Sequence, residues 1–214
     1  MKNSILNITN GDYFNQYFIK NFGKKAVPFC EAMMDGNTVN DIFSEEFIDL
    51  RCKELKVKKE EYLLKMYAYN ALNSNKFSCI YLWFGMDTFC QMNLLTLLAY
   101  LEQKNFSGKV LLNYIDDETF KVIKEDIVVN LGIYKSIYEK VFILKEKPCH
   151  LGVLNEDAVN LYFDYLSPDG FLANTIKENS HKSKNQIMEI LMYNSKAYGL
   201  SDLQAEKLIS LYKK

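Results

Sequence analysis

The chain is poor in the residues that usually advertise chemistry. Of 214 residues two are histidine, three proline and nine glycine, and among 26 basic residues Arg51 is the one arginine. The five cysteines, Cys30, Cys52, Cys79, Cys90 and Cys149, are odd in number, scattered and without a C-x-x-C pair, which argues against a disulfide scaffold or a zinc site. No phosphate loop, dinucleotide fingerprint, nucleophile elbow or metal box occurs. A net charge of -1 and a pI near 6.2 leave no basic excess, so broad nucleic-acid binding is disfavoured. No 18-residue stretch is free of strongly polar groups, and the first apolar run is too short for a signal peptide. The sequence therefore predicts a soluble, cytoplasmic protein without a membrane span.

What is present is enough apolar material, 49% of residues, for one full core plus an appendage. "SILNITNGD" has the composition of a strand closed by an Asn10-Gly11 turn, and "YFNQYFIKNFG" follows with helical spacing, Asp12 in N-cap position and Gly23 as stop. "KAVPFCEAMMDGN" reads as a short strand and a loop, with Pro28 favouring a sheet edge or a strand end. Residues 41 to 74 read as two helices joined by a lysine-rich turn. "FSCIYLWFG" is a continuous apolar strand of the kind buried on both faces of a parallel sheet. A helix with Leu94, Leu97, Leu98 and Leu101 on its buried face comes next, then the strand "KVLLNYI". "DDETFKVIKEDIVVNLGIYKSIYEK" reads as helical and "VFILKEK" as a last, weak strand. After Pro148 only helices are predicted, the final one opened by a Ser201/Gln204 capping box.

Alternation of strand and helix at this spacing predicts an α/β fold: a mostly parallel, Rossmann-like sheet over residues 1–150, with a small helical module over 151–214 packed on it. Right-handed crossovers place the loops after the first strand and after Phe84 at the carboxyl ends of strands, where such sheets bind ligands.

The candidate site residues follow from that edge. Asn10, Gly11 and Asp12 open a helix, where free N–H groups favour a polar ligand, although a turn and cap explain them as well. Glu31 follows the second strand, and Arg51 lies on the next helix. In a lysine-rich chain a lone guanidinium points to a place where a planar fork is needed, as a ligand clamp, with a buried structural ion pair or chance codon drift as the alternatives. Asp87 fits an N-cap. Gln91, one turn later, projects to the same side, whereas Asn93 falls about 200° away at roughly 100° per residue. Cys90 at the helix start has no histidine nearby in sequence to activate it.

These segments, "ILNITNGD", "PFCEAMMDG", Arg51 after "SEEFIDL" and above all "LWFGMDTFCQMNLLTLLAYL", resemble the bacterial family called domain of unknown function 1835. The likeness spans roughly residues 4–115 and continues in "YGLSDLQAEKLI". It marks Asn10, Gly11, Asp12, Glu31, Gly36, Arg51, Trp83, Asp87 and Gln91, while the family's E-G-P element is replaced here by "MMDGNT". The resemblance implies a fold but no activity.

Two functional expectations remain. One is an α/β domain that binds or processes a small polar ligand of nucleotide or sugar-phosphate type. Asp12, Glu31 and Asp87 would act there as acid/base groups of a hydrolase or group transferase, and Asn10, Gly11, Arg51 and Gln91 as ligand contacts. No cofactor is indicated; a magnesium ion held by the acids is an alternative. The other is a regulatory or protein-interaction module acting through its C-terminal helices. A homodimer is compatible with either.

Overall fold

The computed structural model describes residues 4–74 and 76–213. Its centre is a five-stranded sheet of β1 (Ile5–Asn10), β2 (Val27–Phe29), β3 (Cys79–Phe84), β4 (Lys109–Ile115) and β5 (Val122–Val128), in the order β2-β1-β3-β4-β5. All neighbours run parallel except β5, which is antiparallel to β4. Pro28 sits in the edge strand β2, where a missing N–H costs no inner ladder bond.

Side chains alternate across the strands and divide the core in two. Trp83 and Ile115 meet Phe14 and Phe18 of α1 (Asp12–Phe22) on one face. On the other, Ile8, Leu82, Phe84 and Leu112 join α5 (Thr88–Gln103) in a much larger cluster. Every residue of α5 from Cys90 to Leu101 is buried, because the sheet covers one side and later helices cover the rest. A helix with its polar residues wholly buried needs internal partners for them, which is why Gln91 and Asn93 matter below.

The β1-to-β2 connection is α1; the β2-to-β3 connection carries α2 (Glu45–Leu55), α3 (Lys59–Leu64) and α4 (Tyr67–Ser74). α2 begins at Glu45 behind its N-cap Ser44, later than the periodicity from Asp41 implied, and the second predicted helix is broken between α3 and α4.

Two segments differ in type from their predicted form. Residues 116–128 are a hairpin and a strand, not a helix. Asp116 accepts from the backbone N and Oγ1 of Thr119, both at 2.7 Å, and Phe120 closes the turn at φ 57°. The β-branched residues of "VIKEDIV" then outweigh a helical reading of its charges. "VFILKEK" is not a strand: α6 (Tyr134–Tyr138) runs on into a π-helical turn, Glu139–Leu144. Buried Tyr134, Ile137, Tyr138, Val141 and Phe142 keep the three-to-four spacing of a helix face.

The C-terminal helices α7 (Glu156–Leu166), α8 (Phe171–Glu178), α9 (Lys184–Asn194) and α10 (Asp202–Tyr212) follow as predicted, with both bonds of the Ser201/Gln204 box formed. Val159, Leu172, Leu191 and Leu208 belong to the same cluster as the sheet and α5, so residues 151–213 share one core with the α/β part.

The start of α6 is held from outside. Glu102 of α5 accepts from the backbone N–H groups of Gly132, Ile133, Tyr134 and Lys135 at 2.5 to 2.9 Å, a carboxylate cap supplied by another helix. Glu102→Ala is expected to lower stability by about 2 kcal/mol, and Glu102→Gln by less, in urea unfolding at neutral pH.

Candidate functional site

The lone arginine is architectural. Arg51 has no exposed surface and places all its N–H groups on the protein. Nε and Nη2 donate to Glu31 Oε1 at 3.2 and 2.9 Å, Nη2 also to Ala32 O, and Nη1 to the carbonyls of Asp35 and Asn37 at 2.6 and 3.1 Å. Tyr62 donates its hydroxyl to the other Glu31 oxygen. The loop after β2 has no ladder to satisfy its carbonyls, and a planar fork with five donors does so where an ammonium could not. Glu31 and Arg51 are thus enclosed away from any ligand, which corrects their expected catalytic and ligand-binding roles.

Gln91 is also enclosed. Its Nε2 donates to Gly85 O at 2.6 Å and its Oε1 accepts from Asn155 N at 2.9 Å, clamping the end of β3 to the start of α7. Asp12 is not the helix cap; Gly11 is, at φ 75°. Asp12 lies in the first turn of α1 and pairs with Lys65 at 2.5 Å, away from the other acids in its contacts. Burial and this carboxylate push the Cys30 thiol up to about 12.

Two expected residues, Asn10 and Asp87, do come together, with Cys90 and Asn93, which the sequence reading set aside. Asn10, at the carboxyl end of β1, donates to Cys90 Sγ at 2.8 Å and accepts from Asn93 at 2.9 Å. Asn93 also donates to Glu31 O at 2.6 Å and accepts from Met33 N at 3.1 Å. The helical wheel separated Asn93 from Gln91 correctly; Asn93 faces the ends of β1 and β2 instead.

Asp87 caps α5 as expected, accepting from Cys90 N at 2.6 Å. Beside it stands Asp117, which no sequence argument singled out because "DDETF" read as a helix start. Asp117 accepts from Met86 N at 3.1 Å and from the Cys90 thiol at 3.5 Å. The ligand atoms of Asp87, Cys90 and Asp117 lie within 4.8 Å of one another, close enough to hold one cation between them. Two glycines make the room. A Cβ on Gly85 would lie 1.5 Å from Asp117 Oδ1, and one on Gly199, at φ 64°, 2.6 Å from the Asp87 carboxyl.

Position and electrostatics distinguish this group from an ordinary cap. The chain leaves β1 toward β2 on one side and returns to β3 on the other, so the order of winding reverses between the parallel strands β1 and β3. Asn10, Asp87 and Cys90 stand at the carboxyl ends of those two strands, where open α/β sheets form a ligand crevice. No protein-family model, curated protein or solved structure matches this chain. The likeness to domain of unknown function 1835 rests on its motifs alone.

Burial raises Asp87 to about 7, with the adjoining Asp117 carboxylate adding to it and the Cys90 N–H offsetting part. Burial raises Asp117 as well. Burial, Asp87 and Asp117 hold the Cys90 thiol protonated, so it is neither nucleophile nor anion. Asp87 therefore keeps its proton closer to neutral pH than an ordinary carboxyl does, and Asp117 stands beside it as a second carboxyl. The group opens into a shallow groove of about 380 Å³ that is also lined by Asp116, Glu118 and Asp157, with Lys196 on Glu118 at 2.6 Å.

A raised carboxyl gives a definite sign. The folded protein keeps a proton that the unfolded chain releases, so stability declines as pH rises from about 4 to about 7. Asn is as good an N-cap as Asp. Asp87→Asn is therefore expected to melt progressively above the wild type across that interval and to hold a constant advantage beyond it; calorimetry at pH 4, 6 and 8 checks this.

Proposed function

We propose that this protein binds a small polar molecule in the acidic crevice at the carboxyl ends of β3 and β4, and that Asp87 and Asp117 act on it as an acid/base pair. The carrying observation is the meeting of these two carboxylates at the ends of β3 and β4, with burial raising Asp87 to about 7 beside Asp117. Acidic groups around the groove favour a ligand presenting hydroxyl or amino groups. A nucleotide or sugar phosphate would require a divalent cation between its phosphate and the carboxylates. Proton transfer to or from a hydroxyl is the chemistry the pair can supply, as in hydrolysis or group transfer.

The alternative of a free-standing interaction module has less support, because the C-terminal helices are built into this crevice. Ala197 O accepts from Thr88 Oγ1 at 3.2 Å, Asn155 donates to Met86 O at 2.9 Å, and Gly199 lies against Asp87.

The test is a thermal-shift screen of polyols, amines, nucleosides and sugar phosphates, each with and without magnesium, manganese or zinc. A ligand at about one hundred times its Kd adds about 2.7 kcal/mol to stability. The expected result is a compound whose stabilising effect disappears in Asp117→Asn. A response unchanged in both Asp117→Asn and Asp87→Asn would place binding elsewhere.

A further inference from the structure

The amino ends of the parallel strands hold a cavity of about 850 Å³, within the size range of small-molecule sites. It lies at the far end of α5 from the acidic crevice, roughly 16 Å along the helix from Cys90 to Leu101 at about 1.5 Å per residue. Its lining separates by chemistry. Leu72 of α4, Phe77 before β3, Tyr100 of α5 and Phe106 before β4 give an apolar surface, and Lys76 and Lys104 are its charged groups. The Phe106 ring lies across Gly108, where a Cβ would meet its Cζ at 2.5 Å. Leu72, Phe77 and Phe106 stay partly exposed, so the protein's own packing does not fill this surface.

The polar groups around the cavity leave one sign of charge open. No carboxylate lines it among the described residues, and neither ammonium has an ion-pair partner there. Ser4 donates to Lys76 O at 2.5 Å and Ser78 to Ser4 O at 3.3 Å, which commits both hydroxyl protons to the wall itself. Tyr100 donates to Asn73 at 3.1 Å. The end of α5 does not oppose an anion either, because the N–H groups of Lys104, Asn105 and Phe106 turn back onto the carbonyls of Tyr100, Glu102 and Leu101 at 2.9 to 3.0 Å. In a chain of net charge -1, two unpaired lysines beside an apolar hollow are a local excess of positive charge.

We propose that this cavity binds an organic anion with an apolar body, of the arylalkyl carboxylate class. The body lies against Leu72, Phe77 and Phe106, and the carboxylate is drawn to Lys76 and Lys104. Apolar contact supplies the affinity, and the lysines supply the choice of charge. The site is separate from the crevice at the other end of α5, whose carboxylates repel such a ligand.

Phenylbutyrate and phenylbutylamine share a carbon skeleton and differ in charge, so amide NMR titration of the full chain with each reads both halves of the proposal. Phenylbutyrate is expected to shift the amides of Phe77, Ser78, Phe106 and Gly108, and to bind roughly tenfold more tightly than phenylbutylamine, within what two exposed charge pairs supply. Acetate, a head without a body, is expected to shift none of them. Lys76→Glu and Lys104→Glu are each expected to weaken phenylbutyrate severalfold and to strengthen phenylbutylamine severalfold, a gain that misfolding cannot produce. Asp117→Asn is expected to leave both titrations unchanged, which separates this site from the crevice. Cavity amides that stay still under phenylbutyrate overturn the proposal, as does equal binding of the two probes, or a phenylbutyrate affinity that survives Lys76→Glu and Lys104→Glu together.

Discussion

The carboxyl edge of this sheet depends on one guanidinium. Arg51 is buried with Glu31, and its remaining donors hold the carbonyls of Ala32, Asp35 and Asn37 in the loop after β2. A buried ion pair of this kind is no proof of extra stability, because desolvation offsets much of the attraction. What it does provide is a fixed loop. With that loop fixed, Glu31 O and Met33 N present one acceptor and one donor to Asn93, which in turn orients Asn10. Asn10 then donates to Cys90 Sγ, beside which Asp87 and Asp117 meet. A hydrogen-bonded route thus runs from the arginine to the carboxylates without Arg51 approaching a ligand.

The second constraint is space. Two carboxylates draw together only if something excludes water from one of them and leaves room for both. Burial of Asp87 under the turn at Gly199 does the first, and the missing side chains of Gly85 and Gly199 do the second. One of these glycines follows β3 and the other belongs to the C-terminal helices. The crevice is therefore assembled from both ends of the chain, in keeping with the single core that they share.

The fold was legible because its parallel strands are continuous apolar runs and its helices carry clear periodicity. β5 was not, since its four central residues, Ile123 to Asp126, are exposed and three are charged, leaving no alternation against a buried face. Its neighbour in sequence, Asp117, was lost with it: an acid after β4 gains meaning only once that strand's end is known to lie beside β3. Arg51 was noticed for a sound reason, the need for a planar fork, but sequence cannot say whether the acceptors are a ligand's or a loop's. Asp87 was placed correctly as a cap, and a cap it is. Its second property, a raised pKa, comes from burial and from a residue thirty positions away, neither of which a helical wheel contains.

The central claim is that Asp87, buried beside Asp117, holds its proton to near neutrality. Carbon-detected NMR titration of the aspartate side-chain carboxyls in the folded protein, assigned with Asp87→Asn and Asp117→Asn, measures it directly. The account requires Asp87 to titrate near 7 and to move lower, while staying above the ordinary 3.8 because it is buried, when Asp117 is made neutral. If both titrate close to 3.8 in the wild type, the pair is two separate surface carboxylates and the proposed site loses its basis.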